Sequence, residues 1–327
     1  MRIVTVHTLQ AQIEKEIVAL DLAKAPRELY APVSYMMSMG GKRIRPLLCL
    51  LSYNLFNDHI NKEILLPAVG IEIFHGFTLV HDDVMDQAPV RRGYDTVHKK
   101  WNINVAMLSG DVMCIMAYRY LCEAAPQYVT DILQLFGTTA AQVCEGQQFD
   151  MNYEHLARIE EEEYLQMIEL KTAVLLAASA QIGAIAGGAT VQNVQRMYKF
   201  GRCLGMAFQI QDDLLDAYGD SNTFGKTIGG DIITNKKTFL LVQALKKAQG
   251  AQQYKLEYWL KNRDAPPEEK ITNMLEIYNE LNIYEQAGKA IDHYFGQAEK
   301  ELTAVALADE RKEELRNFAF HLINRKK

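Results

Sequence analysis

Two short acidic clusters constrain this chain more than any other feature of its sequence. Residues 82–86 and 212–216 both read Asp-Asp-x-x-Asp with no basic residue inside, and each cluster follows an apolar stretch (71–80 and 203–210) typical of a buried helix. In a helix, the first and last aspartates of each cluster share one face, and such a like-charge pair costs about 0.2–0.5 kcal/mol. Divalent cations, which prefer oxygen ligands, are the natural means of offsetting this repulsion.

The composition is that of a globular protein with a large core. The chain has 327 residues, of which 49% are hydrophobic and 23% are charged, enough for one large or two ordinary domains. Its net charge of -6 argues against general nucleic-acid binding. The five cysteines are scattered and form no Cys-x-x-Cys pair, which argues against zinc and disulfide frameworks and fits a reducing cytoplasm.

We expect neither a secretory signal nor a membrane span. The N-terminal residues contain no apolar signal-peptide core. Residues 172–195 carry no charge and are long enough to cross a bilayer, but Gly, Gln and Asn dilute their hydrophobicity. We therefore expect this segment to be buried in the protein, where its small residues allow close packing.

The spacing of apolar residues predicts an all-α protein. No proline lies between Pro126 and Pro266, apolar residues recur every three to four positions, and the sequence offers no long alternating pattern. We expect a single domain over residues 1–327, in which the helices that hold the acidic clusters face each other across a central cavity. Candidate helix breaks are Gly40-Gly41, Pro89 to Gly93, Pro126, Gly187-Gly188, Gly219 to Gly230, and Asp264 to Pro267.

Three basic segments accompany the acidic clusters. Residues 40–46 (Gly-Gly-Lys-Arg-Ile-Arg-Pro) form a basic turn that either offers N–H groups and cations to a phosphate or is surface charge. Arg91 and Arg92 follow the first cluster and either bind phosphate or pair with its aspartates. A loop with glycines and lysines at 225–237 follows the second cluster. Carboxylates, divalent metals and cations together predict a polyphosphate site.

These segments resemble, in order and spacing, the trans-isoprenyl diphosphate synthase (polyprenyl synthetase) family. The resemblance runs from about residue 30 to residue 240 and includes every motif of the set. It implies an all-α, isoprenoid-synthase-type helical bundle around a central active-site cavity, and a homodimer. The matching segments are Gly-Gly-Lys-x-x-Arg-Pro at 40–46, Leu-Val-His-Asp-Asp-Val-Met-Asp at 79–86, Arg-Arg-Gly at 91–93, Gly-Gln-x-x-Asp at 146–150, Lys-Thr at 171–172, Phe-Gln-Ile-Gln-Asp-Asp-Leu-Leu-Asp at 208–216, and Gly-Lys-x-x-Gly-Gly-Asp at 225–231.

The resemblance implies condensation of isopentenyl diphosphate with an allylic diphosphate of five to fifteen carbons, with release of pyrophosphate. Pyrophosphate leaves poorly unless its charge is balanced, and Mg²⁺ held by Asp82, Asp86 and Asp212 would balance it. The family uses three Mg²⁺ per active site, with Mn²⁺ as a substitute. Three further aspartates would help through bound water or direct contact: Asp83, Asp213 and Asp216.

The resemblance also assigns the substrate-binding residues. No protein nucleophile is required, because the departing pyrophosphate serves as the base, and Thr172 has the further role of stabilising the allylic cation. For His75, a buried core histidine is the alternative reading. The homoallylic (isopentenyl) diphosphate would be held by Lys42, Arg45, His75 and Arg92. The allylic diphosphate would be held by Arg91, Lys171, Thr172, Gln209, Lys226 and Lys236.

The residues just before the first cluster form the predicted floor of the cavity. Phe77 and Thr78 lie five and four residues before Asp82, and each residue of helix adds about 1.5 Å of depth. An aromatic residue at the earlier position alone resembles geranylgeranyl synthases, whereas aromatics at both positions resemble farnesyl synthases. The implied product is therefore geranylgeranyl diphosphate (twenty carbons) or farnesyl diphosphate (fifteen carbons). Which of the two residues blocks the chain stays open, and Phe74, Met113 and Met116 are further candidates for the floor. An ordinary core role for Phe77 also stays open.

Three alternatives remain beside this interpretation. A terpene cyclase shares the fold, but its second metal motif usually contains Ser or Thr and then Glu, whereas this chain repeats aspartates. A non-catalytic prenyl synthase subunit would be expected to lose aspartates or phosphate-binding cations, and a calcium-binding or structural protein would not explain those cations. The basic tail 325–327 is either solvated charge or a lid over the site.

Overall fold

The computed structural model describes residues 4–219, 229–262 and 264–325. Helices dominate these ranges, and the strands found within them are β1 (Val90–Arg91) and β2 (Tyr94–Asp95), which pair as one short antiparallel hairpin. The predicted all-α class is confirmed. The helices before residue 125 are α1 (Val6–Val18), α2 (Arg27–Ser38), α3 (Ile44–Phe56), α4 (Lys62–Met85), α5 (Val97–Lys100) and α6 (Ile103–Leu121).

The second part of the chain continues the helical pattern. One turn of π-helix, Glu169–Ala173, joins α8 to α9. The helices are α7 (Pro126–Glu154), α8 (Glu161–Ile168), α9 (Val174–Ala186), α10 (Val191–Tyr218), α11 (Gly230–Thr234), α12 (Phe239–Lys247), α13 (Ala251–Lys261), α14 (Pro267–Glu280), α15 (Ile283–Thr303) and α16 (Asp309–Ile323).

The chain divides into two compact units, which are described separately below. The single-domain organisation expected from the sequence stays a prediction. Unit 1 consists of Met1–Gly137, Ala178–Tyr198 and Val305–Arg316, and unit 2 of Thr138–Ala177, Lys199–Ala304 and Asn317–Lys327.

Helix α4 is the central helix of unit 1. It contacts α1, α2, α3, α5 and α6. Every residue from Pro67 to Phe74 is buried, so this stretch has no polar face, as is typical of a helix surrounded by others. The apolar approach to the first acidic cluster, residues 71–80, is thus confirmed as a helix, buried through Phe74 and partly buried from there to Val80. This helix holds the aspartates at its end on a rigid element.

Unit 2 has a comparable apolar helix in α12. This helix contacts α8, α14 and α15, and its residues from Phe239 to Ala244 are all buried. The residues of α10 that precede the second acidic cluster are also buried from Cys203 to Phe208. The second apolar approach predicted from the sequence is therefore a helix as well.

The uncharged segment 172–195 is broken at Gly187-Gly188, between the end of α9 and the start of α10. Close packing through its small residues is confirmed at Gly183, where an added Cβ would lie 2.1 Å from the Cys49 carbonyl oxygen of α3. Two helical stretches, Lys62–Met85 and Glu161–Ala186, are long and apolar enough to cross a membrane, but 67% and 72% of their apolar windows are buried. Burial of this extent is typical of core helices.

The contact at Gly183 predicts that replacing this glycine by alanine destabilises the protein, which is the opposite of the usual effect in a helix. Alanine normally stabilises a helix interior by about 0.5–1 kcal/mol relative to glycine, and we expect this gain for Gly288→Ala in α15, where an added Cβ has no atom within 4 Å. We expect Gly183→Ala to lower the free energy of unfolding instead, because α9 must move away from α3. Urea denaturation measures both variants. A Gly183→Ala midpoint at or above that of the parent protein would contradict the close packing.

Candidate active site

The first acidic cluster occupies the last turn of α4. Gln87 adopts a left-handed φ of 52°, and the Ala88 N–H donates to the Asp83 carbonyl at 3.0 Å, which is the bond of a Schellman ending. The C-terminal end of a helix carries the negative end of its dipole. Three carboxylates at this end therefore add to a field that is already negative, which supports the expectation that the cluster attracts cations.

Asp83 is already paired with a cation in unit 1. The Arg91 Nε lies 2.8 and 2.9 Å from the two carboxylate oxygens of Asp83, and a terminal Arg91 nitrogen lies 2.8 Å from one of them. Burial raises the pKa of Asp83, and Arg91 opposes that shift. Arg91 was expected either to pair with the aspartates or to bind phosphate. The ion pair is present, and phosphate binding by Arg91 stays a prediction. Asp82 is half-buried and Asp86 is exposed.

A tight hairpin brings Arg92 to the basic turn that precedes α3. Arg92 and Gly93 form its two-residue turn with φ of 53° and 80°, the signs that a type I′ turn requires. The Arg92 guanidinium donates to the Gly40 carbonyl. Gly41 adopts a φ of 141°, which favours glycine, and its Cα faces the Arg92 guanidinium, which an added Cβ would approach to 2.8 Å. Two basic segments about fifty residues apart in the sequence are thus joined in unit 1.

Arg43, which the sequence analysis assigned to no function, anchors this turn. It is buried, and it donates to Glu72 at 2.9 Å, to Glu14 at 2.8 Å and to the Met37 carbonyl at 2.9 Å. These bonds tie the start of α3 to α1, α2 and α4. The available signal in the sequence was Glu72, a carboxylate inside an apolar helix, because a buried charge requires a partner.

Arg45 and His75 lie beside the anchored turn. The Arg45 Nε is buried and has no hydrogen-bond partner among the residues that the structure describes. Burial lowers the pKa of Arg45 to about 10, with Arg92 acting in the same direction and Glu72 against it. Burial, and then Arg45 and Arg92, hold the pKa of His75 well below its usual range, so its imidazole is neutral at neutral pH. The structure therefore brings together Arg45, His75 and Arg92, while Lys42 is exposed.

The two candidate floor residues face different directions on α4. The Phe77 ring packs 4.7 Å from the His81 ring, and His81 Nε2 lies 3.1 Å from the Met107 carbonyl of α6, so both side chains face α6. Thr78 lies one turn below Asp82 and on the same face, and its hydroxyl donates to the His75 carbonyl at 2.8 Å. The floor role of Phe77 and Thr78 stays a prediction.

In unit 2, Asp213 is a buried acceptor for three elements. It accepts hydrogen bonds from the Tyr164 hydroxyl at 2.6 Å, the Phe239 N–H at 2.8 Å and the Gln209 amide at 3.0 Å. Burial and the nearby Asp231 raise the pKa of Asp213 to about 6, and the three donors oppose the shift. Asp213 thus joins α8, α10 and α12, and nothing in the sequence signalled Tyr164 as its partner.

Asp212 is paired with the last described residue of the chain. The Arg325 guanidinium donates to the Asp212 carboxylate and lies 4.3 Å from the centre of the Phe208 ring. The Arg325 Nε is buried and has no hydrogen-bond partner in the described part of the chain. Burial lowers the pKa of Arg325 to about 10. Arg325 is thus a partly buried cation on a predicted metal ligand, while residues 326 and 327 lie outside the described chain.

The third aspartate of the second cluster caps a helix. Asp216 Oδ2 accepts from the Asp231 N–H at 2.9 Å, at the start of α11. At the other end of α11, Lys236 Nζ lies 3.9 Å from the Asp231 carboxylate. Lys226, the other lysine predicted for this loop, lies outside the described residues.

The π-helical turn Glu169–Ala173 presents Lys171 and Thr172, and such turns are frequent at functional sites. Lys171 Nζ lies 2.6 Å from Asp150 Oδ2. The Thr172 hydroxyl donates to the Gln209 amide oxygen at 2.8 Å, and Gln209 in turn donates to Asp213. The structure therefore brings Thr172 and Gln209 into one hydrogen-bonded chain. Asp150 ends the Gly-Gln-x-x-Asp segment 146–150, for which the sequence indicated no separate role.

The aspartates fit a metal that is bound together with substrate. Across residues 4–219, 229–262 and 264–325, no three His, Cys, Asp or Glu side chains gather as a ready metal site. Mg²⁺ is usually bound by one or two carboxylates plus substrate phosphates and water, not by an all-protein cage. The half-buried Asp82 and exposed Asp86, one turn apart on α4, provide such a pair.

The chain is similar to known proteins over most of its length. The pattern of the polyprenyl synthetase family matches residues 26–278. The geranylgeranyl diphosphate synthase of Methanosarcina mazei is 38% identical over 224 residues, which cover 68% of this chain and 69% of that protein. A crystal structure of a geranylgeranyl pyrophosphate synthase is similar with a TM-score of 0.93 at 37% identity, over 99% of this chain and 100% of that one.

A third similar protein is a polyprenyl synthase from Caulobacter crescentus CB15, solved in complex with calcium and isoprenyl diphosphate. Its TM-score is 0.87 at 26% identity, over 98% of this chain and 96% of that one. The terpene cyclase and the non-catalytic subunit are not favoured by these relatives. The chain belongs to the polyprenyl synthetase family and is a trans-prenyltransferase.

Proposed function

We propose that this enzyme condenses isopentenyl diphosphate with an allylic diphosphate of five to fifteen carbons and releases pyrophosphate. The observation that carries the proposal is the buried Nε–H of Arg45, which lies beside Arg92 and a neutral His75 and has no hydrogen-bond partner within residues 4–219, 229–262 and 264–325. An unsatisfied buried donor costs about 1–3 kcal/mol. A diphosphate oxygen bound at Arg45 would remove this cost, and a neutral His75 can donate one N–H to the same anion.

The proposed binding residues divide by substrate. Isopentenyl diphosphate does not ionise and therefore needs cations but no metal; its proposed ligands are Lys42, Arg45, His75 and Arg92. The allylic diphosphate loses its pyrophosphate, and its proposed ligands are Arg91, Lys171, Thr172, Gln209, Lys226 and Lys236. The Thr172 hydroxyl already donates to Gln209, so its oxygen lone pairs remain available to stabilise an adjacent allylic cation, while apolar side chains exclude water.

Magnesium is the proposed metal, with Asp82, Asp86 and Asp212 as its ligands and Asp83, Asp213 and Asp216 as supporting residues. When bound, Mg²⁺ balances the charge of the departing pyrophosphate as a Lewis acid. We infer three ions per active site, with Mn²⁺ as a substitute. The calcium in the Caulobacter crescentus relative supports a hard divalent cation, because Ca²⁺ and Mg²⁺ share oxygen ligands.

Pyrophosphate release from the two substrates tests the function. We expect Mg²⁺-dependent release with isopentenyl diphosphate and at least one allylic diphosphate of five, ten or fifteen carbons. Asp82→Asn should lower kcat/KM by about a hundredfold or more, because metal-assisted charge balance supplies several kcal/mol. Asp131→Asn, on an exposed residue of α7, should leave the rate unchanged. No release from the parent enzyme with any of the three primers would overturn the proposed function.

The pairing of Arg325 with Asp212 predicts that removing the Arg325 charge strengthens Mg²⁺ binding. Because Arg325 is paired with Asp212, we expect Arg325→Gln to tighten Mg²⁺ binding about two- to fivefold, the range of a partly exposed ion pair. Calorimetric titration of the enzyme with Mg²⁺ in the presence of saturating inorganic pyrophosphate, which stands in for the substrate phosphates, measures this affinity. Arg316→Gln, which removes the same charge from α16, is the control and should change nothing. Equal Mg²⁺ affinities for Arg325→Gln and the parent enzyme would show that Asp212 is not a metal ligand or that Arg325 does not compete for it.

Geranylgeranyl diphosphate is the proposed main product, with farnesyl diphosphate second. If Phe77 is the floor, Phe77→Ala should lengthen the products, since it opens space beside Phe74 and His81. Thr78→Phe places a ring one turn below Asp82 and should shorten them toward fifteen carbons. Mass spectrometry measures the chain lengths of the products that both variants make. An unchanged distribution for Phe77→Ala would remove Phe77 as the floor.

We also infer a cytoplasmic homodimer. Four exposed apolar side chains on α6, those of Ile103, Met107, Leu108 and Ile115, support contact with a second copy of the chain, because exposed apolar surface is a mark of interaction sites. The five cysteines are all free, which agrees with a reducing compartment. Sedimentation equilibrium checks the dimer, and a monomer at micromolar concentration would count against it.

A further inference from the structure

The π-helical turn that carries Lys171 is held from two sides by glycines in unit 2. On α7, a Cβ at Gly146 would lie 2.2 Å from the Lys171 amide nitrogen and 2.6 Å from its Cα. On α10, a Cβ at Gly205 would lie 2.6 Å from the Ala173 Cα. Both helices therefore contact the backbone of the turn directly, which no other residue type would allow.

An ion pair secures the start of the same turn. Arg202 lies on α10, one turn before Gly205. Its Nη1 is 3.0 Å from each carboxylate oxygen of Glu169. The backbone of the turn is thus constrained along its length, from Glu169 to Ala173. The Cα of Lys171 consequently has a defined position, and what remains to be ordered is its long side chain.

Asp150 orders that side chain. It lies four residues after Gly146 and so on the same face of α7. Its Oδ2 is 2.6 Å from Lys171 Nζ, and the exposed fractions of the two side chains are 8% for Asp150 and 20% for Lys171. A largely buried pair of this kind is less screened by solvent than a surface pair. Helix α7 therefore contacts the backbone of the turn through Gly146 and holds the Lys171 ammonium through Asp150.

A carboxylate beside a diphosphate-binding lysine can act in two opposite ways. It can mask the positive charge, in which case its removal would tighten binding of the anion. It can also hold the ammonium in place, in which case its removal would weaken binding, because a free lysine side chain loses substantial rotamer freedom when it binds. The glycine contacts and the Glu169–Arg202 pair favour the second role, because they constrain the same turn independently.

We propose that Asp150 is a positioning residue that holds the Lys171 ammonium in place for the allylic diphosphate. Gly146, which has no side chain, allows the turn that carries Lys171 to pack against α7. The proposal rests on the assignment of Lys171 to the allylic diphosphate in the proposed function. It gives the Gly-Gln-x-x-Asp segment 146–150 a physical role, in which its first and last residues act on the same lysine.

Steady-state kinetics with each substrate varied separately tests the proposal. We expect Asp150→Ala to raise KM for the allylic diphosphate about tenfold, with KM for isopentenyl diphosphate unchanged and kcat changed less than KM. Asp150→Asn keeps an acceptor oxygen and should restore part of the affinity. The matched control is Glu161→Gln, which breaks the 2.6 Å pair with Lys246 elsewhere in unit 2 and should leave both KM values unchanged.

The opposite results would overturn the proposal. A lower allylic KM for Asp150→Ala would mean that Asp150 masks Lys171, and an equal rise of both KM values would mean a general structural role. Calorimetric binding of inorganic pyrophosphate separates this proposal from the proposed function, because it needs no turnover. Weaker pyrophosphate binding by Asp150→Ala than by Glu161→Gln supports the positioning role even if no primer reacts, and equal binding by these two variants contradicts it.

Discussion

Negative charge at the C-terminal ends of two helices is the constraint on which this structure depends. Each acidic cluster lies in the last turns of α4 or α10, where the helix dipole adds to the repulsion between carboxylates. In each cluster, an arginine from another part of the chain pairs with one of the aspartates. Arg91 pairs with Asp83 in unit 1, and Arg325 pairs with Asp212 in unit 2.

The two clusters therefore differ in structure although they share one pattern. In the first, the middle aspartate is neutralised by a bidentate arginine on the hairpin that follows α4. In the second, no arginine of the described residues pairs with the corresponding Asp213, and its burial is compensated by the Tyr164 hydroxyl, the Phe239 N–H and the Gln209 amide. Hydrogen bonds to the ionised form of a buried carboxylate stabilise its charge. Asp213 is thus a structural centre as well as a candidate support for metal binding.

Much of the fold and part of the candidate site could be predicted from local patterns. Apolar spacing and helix-breaking residues identified the all-α class and the break at Gly187-Gly188, because helix periodicity and glycine conformation act over a few residues. The separate roles of neighbouring arginines could not be predicted. Arg43 and Arg45 are two residues apart in one basic turn, yet Arg43 pairs with Glu72 and Glu14, whereas the Arg45 Nε has no hydrogen-bond partner among the described residues.

The sequence by itself determined which residue types are available for chemistry: two aspartate clusters on helices, basic segments behind them, and the motifs of the polyprenyl synthetase family. Only the tertiary structure decided how each charge is used. Asp150 meets Lys171, and Arg325 meets Asp212 across more than a hundred residues of chain. Such pairs depend on how helices pack and on glycines such as Gly146 that permit close approach, and the energy of a charge depends on the burial and partners that this packing creates.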